Sequence, residues 1–326
     1  MFCRCAISSG ALALASSGVL FVLAASNAAA GDLLVSDWED NKVLQFSGTT
    51  GSYERDLVPT GSGGISNPEG MAVGPDGALY VSNAGVSSND VLRYNMQTGA
   101  FLGVFASGID IPVGLTFGPD KNLYVASRGG NCVFRYNGQT GAPMGTFATA
   151  PTSDLWWAWD LTFGPSGDLF VSSFERGEVL RFNGTTGAYE GVFTSGAAEG
   201  TASGITFGPD GNLYVGNFGS EVYRYNGTTG QFMDVFASGN GLTGACDLVF
   251  GPDGNLYVSN HASAVVSEFN GTTGQPMGNF ASGGDWGGSN FLMFTPTPEP
   301  STLALLGSAL LGLAGTVYLR RRRAKA

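Results

Sequence analysis

A stretch of 26 residues, from Ile205 to Gly230, reads I-T-F-G-P-D-G-N-L-Y-V-G-N-F-G-S-E-V-Y-R-Y-N-G-T-T-G, and most of the chain between residues 31 and 296 is a variation on it. Two tight-turn signals, Gly208-Pro209-Asp210-Gly211 and Asn226-Gly227-Thr228-Thr229-Gly230, punctuate it. The apolar runs between them are rich in β-branched and aromatic residues and too short for helices, so they read as strands. The unit is strand, turn, strand, loop, strand, turn, strand.

Aligned on the first turn, the repeat recurs at Gly74, Gly118, Gly164, Gly208 and Gly251, at spacings of 44, 46, 44 and 43 residues. That is the period of a four-stranded propeller blade. The second turn has six copies, ending at Gly51, Gly99, Gly141, Gly187, Gly230 and Gly274. The missing first strand lies at the far end, where Leu292-Met293-Phe294-Thr295-Pro296 matches Leu115-Thr116-Phe117-Gly118-Pro119 in pattern. The sequence therefore predicts an all-β, six-bladed propeller over 31–296. Its first blade combines strands near 33–58 with a last strand from the other end of the chain, and this closure leaves only short, protected edges.

The repeat, with P-D-G-x-L-Y-V following P-x-G-hydrophobic, resembles the NHL-type and gluconolactonase-like six-bladed β-propellers. The resemblance implies one folded domain with a central channel. It implies no single activity, since propellers carry lyases, lactonases, scaffolds and binding modules on one frame.

Residues 1–30 have a basic start at Arg4, an apolar stretch from Ala11 to Ala25 and a small-residue end at Ala28-Ala29-Ala30. This is the pattern of a secretory signal peptide, cleaved after Ala30. Cys132 and Cys246 then remain where disulfides form, but the blade plan puts them in blades 3 and 6, beyond the reach of a bridge. They are expected to be unpaired and buried. Between residues 31 and 298 there are 9 Lys plus Arg against 25 Asp plus Glu, a net charge of −16. A chain without a basic face is not a nucleic-acid binder.

The C-terminal segment 297–326 opens Thr297-Pro298-Glu299-Pro300-Ser301, continues as an apolar run over 302–319, and ends Arg320-Arg321-Arg322-Arg323. This run of 18 residues makes a helix of roughly 27 Å, enough to cross a bilayer core. The arginines place the C-terminus in the cytoplasm and the propeller outside. The order P-E-P, apolar helix, arginine cluster resembles the PEP-CTERM sorting signal. That resemblance implies recognition at Pro298, Glu299 and Pro300 by an exosortase, a membrane protease-transpeptidase. The expected route is from an inner-membrane anchor to the cell surface or exopolysaccharide matrix.

In the blade plan both tight turns fall on one face of the wheel and the variable loops on the other. The loop face carries all five tryptophans, Trp38, Trp156, Trp157, Trp159 and Trp286. Local function belongs on that face. The tryptophans read as flat platforms for a carbohydrate, or as a lid packed over the channel. Around the channel mouth, the second strands end in Asp37, Asn83, Ser127, Ser173, Asn217 and Asn260, and the inner strands begin with Glu69, Asp160, Asp247 and Asn290. The last four are a candidate oxygen-donor set for Ca²⁺ or another divalent cation. Glu69 in Asn67-Pro68-Glu69-Gly70 is the position nearest to the metal-binding glutamate of the gluconolactonase-like enzymes. The strand-end residues are equally suited to capping loop amides. His261, the lone histidine, is either surface or the base of a lyase. The Asn-Gly-Thr sequences at 183, 226 and 270 read as turns. Together these features describe an exported, non-enzymatic binding propeller for a polysaccharide or a surface protein. The alternative is a metal-dependent hydrolase or a lyase in the channel.

Overall fold

The tight turns form as their residues dictate. In the first, Gly77 N donates to Gly74 O at 2.9 Å with Gly77 at φ +75°, and Asp76 Oδ1 accepts the Ala78 amide at 3.1 Å. In the second, Asn95 Oδ1 accepts the amides of Gln97 and Thr98, and Gly99 closes the turn at φ +68°. The same use of Asn183, Asn226 and Asn270 accounts for the three Asn-Gly-Thr sequences. The final glycine of this turn also packs against the preceding blade. A Cβ on Gly99 would lie 1.6 Å from Leu57 O, and one on Gly51 would lie 1.8 Å from Phe280 O. Positive φ and close approach together leave room only for glycine.

The computed structural model describes residues 31–85, 88–194, 201–261, 263–283 and 285–296. The expected signal peptide over 1–30 and the sorting tail over 297–326 lie outside the described residues. Within them, 24 strands form six four-stranded antiparallel sheets. Blade 1 runs from Ser289–Phe294, its inner strand, through Leu33–Asp37 and Lys42–Phe46 to Tyr53–Val58. Leu33 pairs with Phe294, Leu34 with Met293 and Val35 with Leu292, so strands from both ends of the propeller close the wheel. The other inner strands are Pro68–Val73, Pro112–Phe117, Ala158–Phe163, Ile205–Phe207 and Ala245–Phe250, in blades 2 to 6.

An aromatic joint holds five of the six blades to the next. Tyr80, on the second strand of blade 2, meets Phe105 of its own outer strand at 4.7 Å and Phe117 of the next inner strand at 5.0 Å, both edge to face. Tyr124, Phe170, Tyr214 and Tyr257 repeat this, and the last closes the ring on Phe294 at 5.0 Å. Blade 1 has Leu34 and Leu57 in place of the aromatics, so its joint is aliphatic. The Tyr80, Tyr124, Tyr214 and Tyr257 hydroxyls donate to Asp76, Asp120, Asp210 and Asp253 of their own turns. Blade 4 drops both partners at once, with Ser166 in the turn and Phe170 in the joint.

The outer strands expose apolar side chains, among them Leu102, Val104, Met144 and Met277. Their pairing with the third strands slips twice in blades 1, 2, 3, 5 and 6, and bulged edges resist pairing with other chains. Cys132 and Cys246 are both buried and unpaired.

Candidate functional site

The inner strands are irregular at their loop-face ends. In blades 2, 3, 4 and 6 their pairing with the second strand slips between Pro68 and Met71, Pro112 and Leu115, Ala158 and Leu161, and Ala245 and Leu248. A bulge at a rim re-aims side chains, and those carried here include Glu69, Val113, Trp159 and Cys246. Val113, Trp159, Phe174, Cys246 and Phe291 pack into one buried apolar cluster. Beside it lies a polar chain of contacts. Asn290 Nδ2 donates to Glu69 Oε2 at 2.7 Å, its Oδ1 lies 2.9 Å from His261 Nδ1, and Cys246 Sγ donates to the same oxygen at 3.4 Å. Burial pushes the Glu69 carboxyl up to about 8, with Arg128 and the Asn290 bond as smaller opposing influences. Burial also raises the Cys246 thiol well above its ordinary value, which makes it an inert packing group.

Asp160 and Asp247 take a different part. Asp160 Oδ2 accepts the amide of Ile205 in the next blade at 2.9 Å, and its Oδ1 accepts that of Leu161 at 2.8 Å. Asp247 Oδ2 likewise accepts Leu292 N at 2.8 Å, across the closure of the wheel. Glycine flanks both, since a Cβ on Gly114 would lie 2.6 Å from Asp160 Oδ1 and one on Gly204 would lie 2.6 Å from Asp247 Oδ1. Both carboxyls are raised by burial, Asp160 to about 7. The four inner-strand residues are thus split between two tasks. Glu69 and Asn290 meet, while Asp160 and Asp247 are committed to blade-to-blade amides. A hard cation needs six to eight oxygens, and the described residues hold no group of three or more His, Cys, Asp or Glu side chains arranged to bind one. As arranged, Asp160 and Asp247 use carboxylate oxygens on those amides, and Asn290 uses its amide on Glu69.

In five of the six blades the residue ending the second strand holds the loop that enters its own blade, while Asn217 accepts Gly219 N of its own turn instead. Asn83 Oδ1 accepts Ser66 N at 2.6 Å, Ser173 Oγ accepts Trp156 N at 2.8 Å, and Asn260 Oδ1 accepts Thr243 N at 2.7 Å. Ser127 Oγ instead donates to Asp110 O at 2.7 Å. The next residue in each repeat is Trp38, Ala84, Arg128, Phe174, Phe218 or His261. Five of these six contribute to an aromatic and cationic arc. His261 stacks on Trp38 at 5.3 Å and meets Phe218 at 5.0 Å, and Phe218 meets Phe174 at 5.2 Å. Phe174 stacks on Trp159 at 4.6 Å, and Arg128 lies over Trp159 and Trp157 at 5.8 and 5.4 Å. Ala84 leaves a gap in blade 2, the blade of Glu69. The sequence singled out Trp38 and His261 one by one, but not the repeat position they share with Arg128, Phe174 and Phe218, although the repeat alignment contains it.

The five tryptophans divide. Trp159 and Trp286 are each 6% exposed, and Trp286 packs on Phe46 at 5.4 Å in the joint between blades 6 and 1. Trp38 is half-buried, with an indole Nε1 that has no acceptor among the described residues. Trp156 and Trp157 are 41% and 37% exposed. Their backbone is pinned: Phe174 N donates to Trp157 O at 3.0 Å, and Trp157 N donates to Asn131 Oδ1 at 2.7 Å. Trp157 sits at φ +58°, in the left-handed region. The residue before the inner strand has this conformation in four blades, but elsewhere it is Asn67, Ile111 or Gly244. For a bulky residue it costs roughly 1–2 kcal/mol.

Comparison with known proteins separates the two parts of the chain. Residues 296–323 match the PEP-CTERM protein-sorting motif. The chain carries that sorting signal. The motif implies export, membrane-anchored sorting to the cell surface and processing by an exosortase. The propeller is similar in structure to virginiamycin B lyase from Staphylococcus aureus, solved as a catalytically inactive variant with quinupristin. That match has a TM-score of 0.57 and 16% identity, over 78% of this chain and 86% of the other. A chain of a nidogen/laminin complex aligns with TM-score 0.68 and 12% identity, over 82% and 98%. A gluconolactonase from Xanthomonas campestris aligns with TM-score 0.59 and 16% identity, over 80% and 87%. At these identities the likeness is one of fold. No curated protein matches the chain in sequence.

Proposed function

We propose that this PEP-CTERM protein is a non-enzymatic binding propeller of the cell surface or exopolysaccharide matrix, and that its loop face holds carbohydrate on Trp156 and Trp157. The observation that carries the reading is Trp157, a large aromatic kept half-exposed in a strained conformation by bonds to its backbone. Strain of this kind concentrates at functional sites, and an exposed indole offers a flat face to a sugar ring. Asn or Gly stands at this position in blades 2 and 6, and the bulky Ile111 of blade 3 is packed against the buried cluster, so what sets Trp157 apart is that its side chain is left exposed. The test is affinity electrophoresis through gels carrying laminarin, dextran or polygalacturonate. Wild type is expected to be retarded by at least one polymer. The Trp156→Ala, Trp157→Asn double variant should run freely, with a melting temperature within a few degrees of wild type. Unretarded wild type, or a double variant that unfolds, overturns the reading.

A second reading, a lyase or hydrolase in the channel, is favoured by one observation. Asn290 bridges Glu69 and His261, and with Nδ1 facing Asn290 the other ring nitrogen of His261 is the one left for proton transfer. Turnover in a screen of lactones and acidic oligosaccharides, abolished by His261→Ala, would establish it over the binding reading.

A further inference from the structure

We infer that the ligand of the tryptophan surface is an acidic glycan, its sugar carboxylates held by Arg128 and Arg176. The inference rests on the carbohydrate reading above and narrows it. In a domain of net charge −16, most basic side chains already have work. Arg93, Arg181 and Arg224 pair with Asp76, Asp168 and Asp234 on their own blades. Arg55 is bonded to Gln45, and Lys42 lies between Asp40 and Asp56. Arg128 and Arg176 are the cations that lie on the tryptophan surface. Arg128 has no hydrogen bond or ion pair from its guanidinium to the described residues, and lies 5.4 Å from the Trp157 ring centroid. Arg176 lies 5.8 Å from that of Trp156 and has one long bond, 3.4 Å, to the Thr152 carbonyl.

Two guanidiniums therefore lie over the two exposed indoles. A guanidinium on an aromatic face keeps N–H donors for a planar anion, and its fork matches a carboxylate in a way that ammonium does not. The indole supplies the surface for a sugar ring, so ring and carboxylate are met by adjacent groups. Three carboxylates feel these guanidiniums, Asp154 and Glu178 that of Arg176 and the buried Glu69 that of Arg128, and Asp154 is turned to Tyr189 and Ser153 at 2.6 and 2.7 Å. An acidic domain does not attract polyanions at large, so discrimination must reside at these two side chains.

The experiment uses the full chain in detergent micelles, titrated with polygalacturonate, with its methyl ester, in which the same sugars carry no charge, and with dextran. Wild type is expected to bind the acid about tenfold or more tightly than the ester. Arg128→Gln with Arg176→Gln should bring the acid down to the level of the ester. Arg128→Lys, which keeps the charge but not the fork, should lose part of the preference and serves if the double variant fails to fold. Equal binding of acid and ester by wild type overturns the acidic assignment and leaves the glycan reading in place. A preference that survives the arginine substitutions overturns the role of these two residues. Failure of wild type to bind any of the three polymers overturns both.

Discussion

Asn131 and Trp157 are joined by a 2.7 Å hydrogen bond from the tryptophan amide to the asparagine side chain, and both residues lie at positive φ. The same bond joins Asn41 to Asn67 at 2.6 Å and Asn89 to Ile111 at 3.2 Å. Each ties the loop between the second and third strands of one blade to the entrance of the next. At Trp157 the clamp holds an expensive residue, and two substitutions that both remove the ring separate its cost from its contacts. Trp157→Asn should be more stable than Trp157→Ala by about 1 kcal/mol, because asparagine tolerates the left-handed region. Urea denaturation of the pair measures the difference. Equal stability would show that the site stores no strain.

The closure of the wheel rests on Ser289–Phe294. Phe294 meets Tyr257 edge to face, and Asp247 accepts the Leu292 amide. Phe294→Ala should cost about 2–3 kcal/mol, since the ring is only partly buried. Truncation before Ser289 should abolish cooperative unfolding, because the strand beside Leu33–Asp37 is lost and a long apolar edge is bared. A truncated chain that melts like the parent would refute the closure as the source of cooperativity.

Glu69 and Asp160 make stability depend on pH. Their folded values, about 8 and about 7, lie above ordinary carboxyl values because burial disfavours charge. The folded state therefore binds more protons than the unfolded chain between about pH 4 and 8, and stability falls as pH rises through that window. Glu69→Gln should flatten the fall by roughly 1–3 kcal/mol between pH 5.5 and 8.5. Denaturant midpoints at the two pH values, for wild type and variant, are the measurement. Parallel lines would remove Glu69 from the account.

Blade 4 offers a test of the tyrosine–aspartate pairs. Phe170→Tyr alone buries a hydroxyl without a carboxylate partner and should destabilise by about 1–2 kcal/mol. Adding Ser166→Asp should recover about 1 kcal/mol, as the equivalent Asp76 and Tyr80 lie 3.2 Å apart. A double-mutant cycle reads the coupling, and a value near zero means the pairs are incidental.

Replacing Pro298, Glu299 and Pro300 by alanine, with the apolar run and arginines kept, should leave the exported protein in the inner membrane. Fractionation followed by immunoblotting compares the amounts released. Equal release from wild type and variant would reduce the tail to an ordinary anchor.

The repeat alone determined the six blades, their order and the closure by residues 292–294. Turn chemistry is local, and a Gly-Pro-Asp-Gly or Asn-Gly-Thr-Thr-Gly sequence specifies its hydrogen bonds without distant help. The two buried, unpaired cysteines followed from the same blade plan. The site was legible only in part. Glu69, Asp160, Asp247 and Asn290 were recognisable as polar residues at one level of the wheel. Their division into a Glu69–Asn290 pair and two backbone staples depends on bulges in the inner strands and on Gly114 and Gly204 making room across the blade boundary. Likewise, five tryptophans could be assigned to one face, but which of them reach solvent is decided by loop backbone that residues 17 to 26 positions away hold in place. Side-chain direction at a rim is a property of neighbouring blades, and no window of sequence contains both sides of that contact.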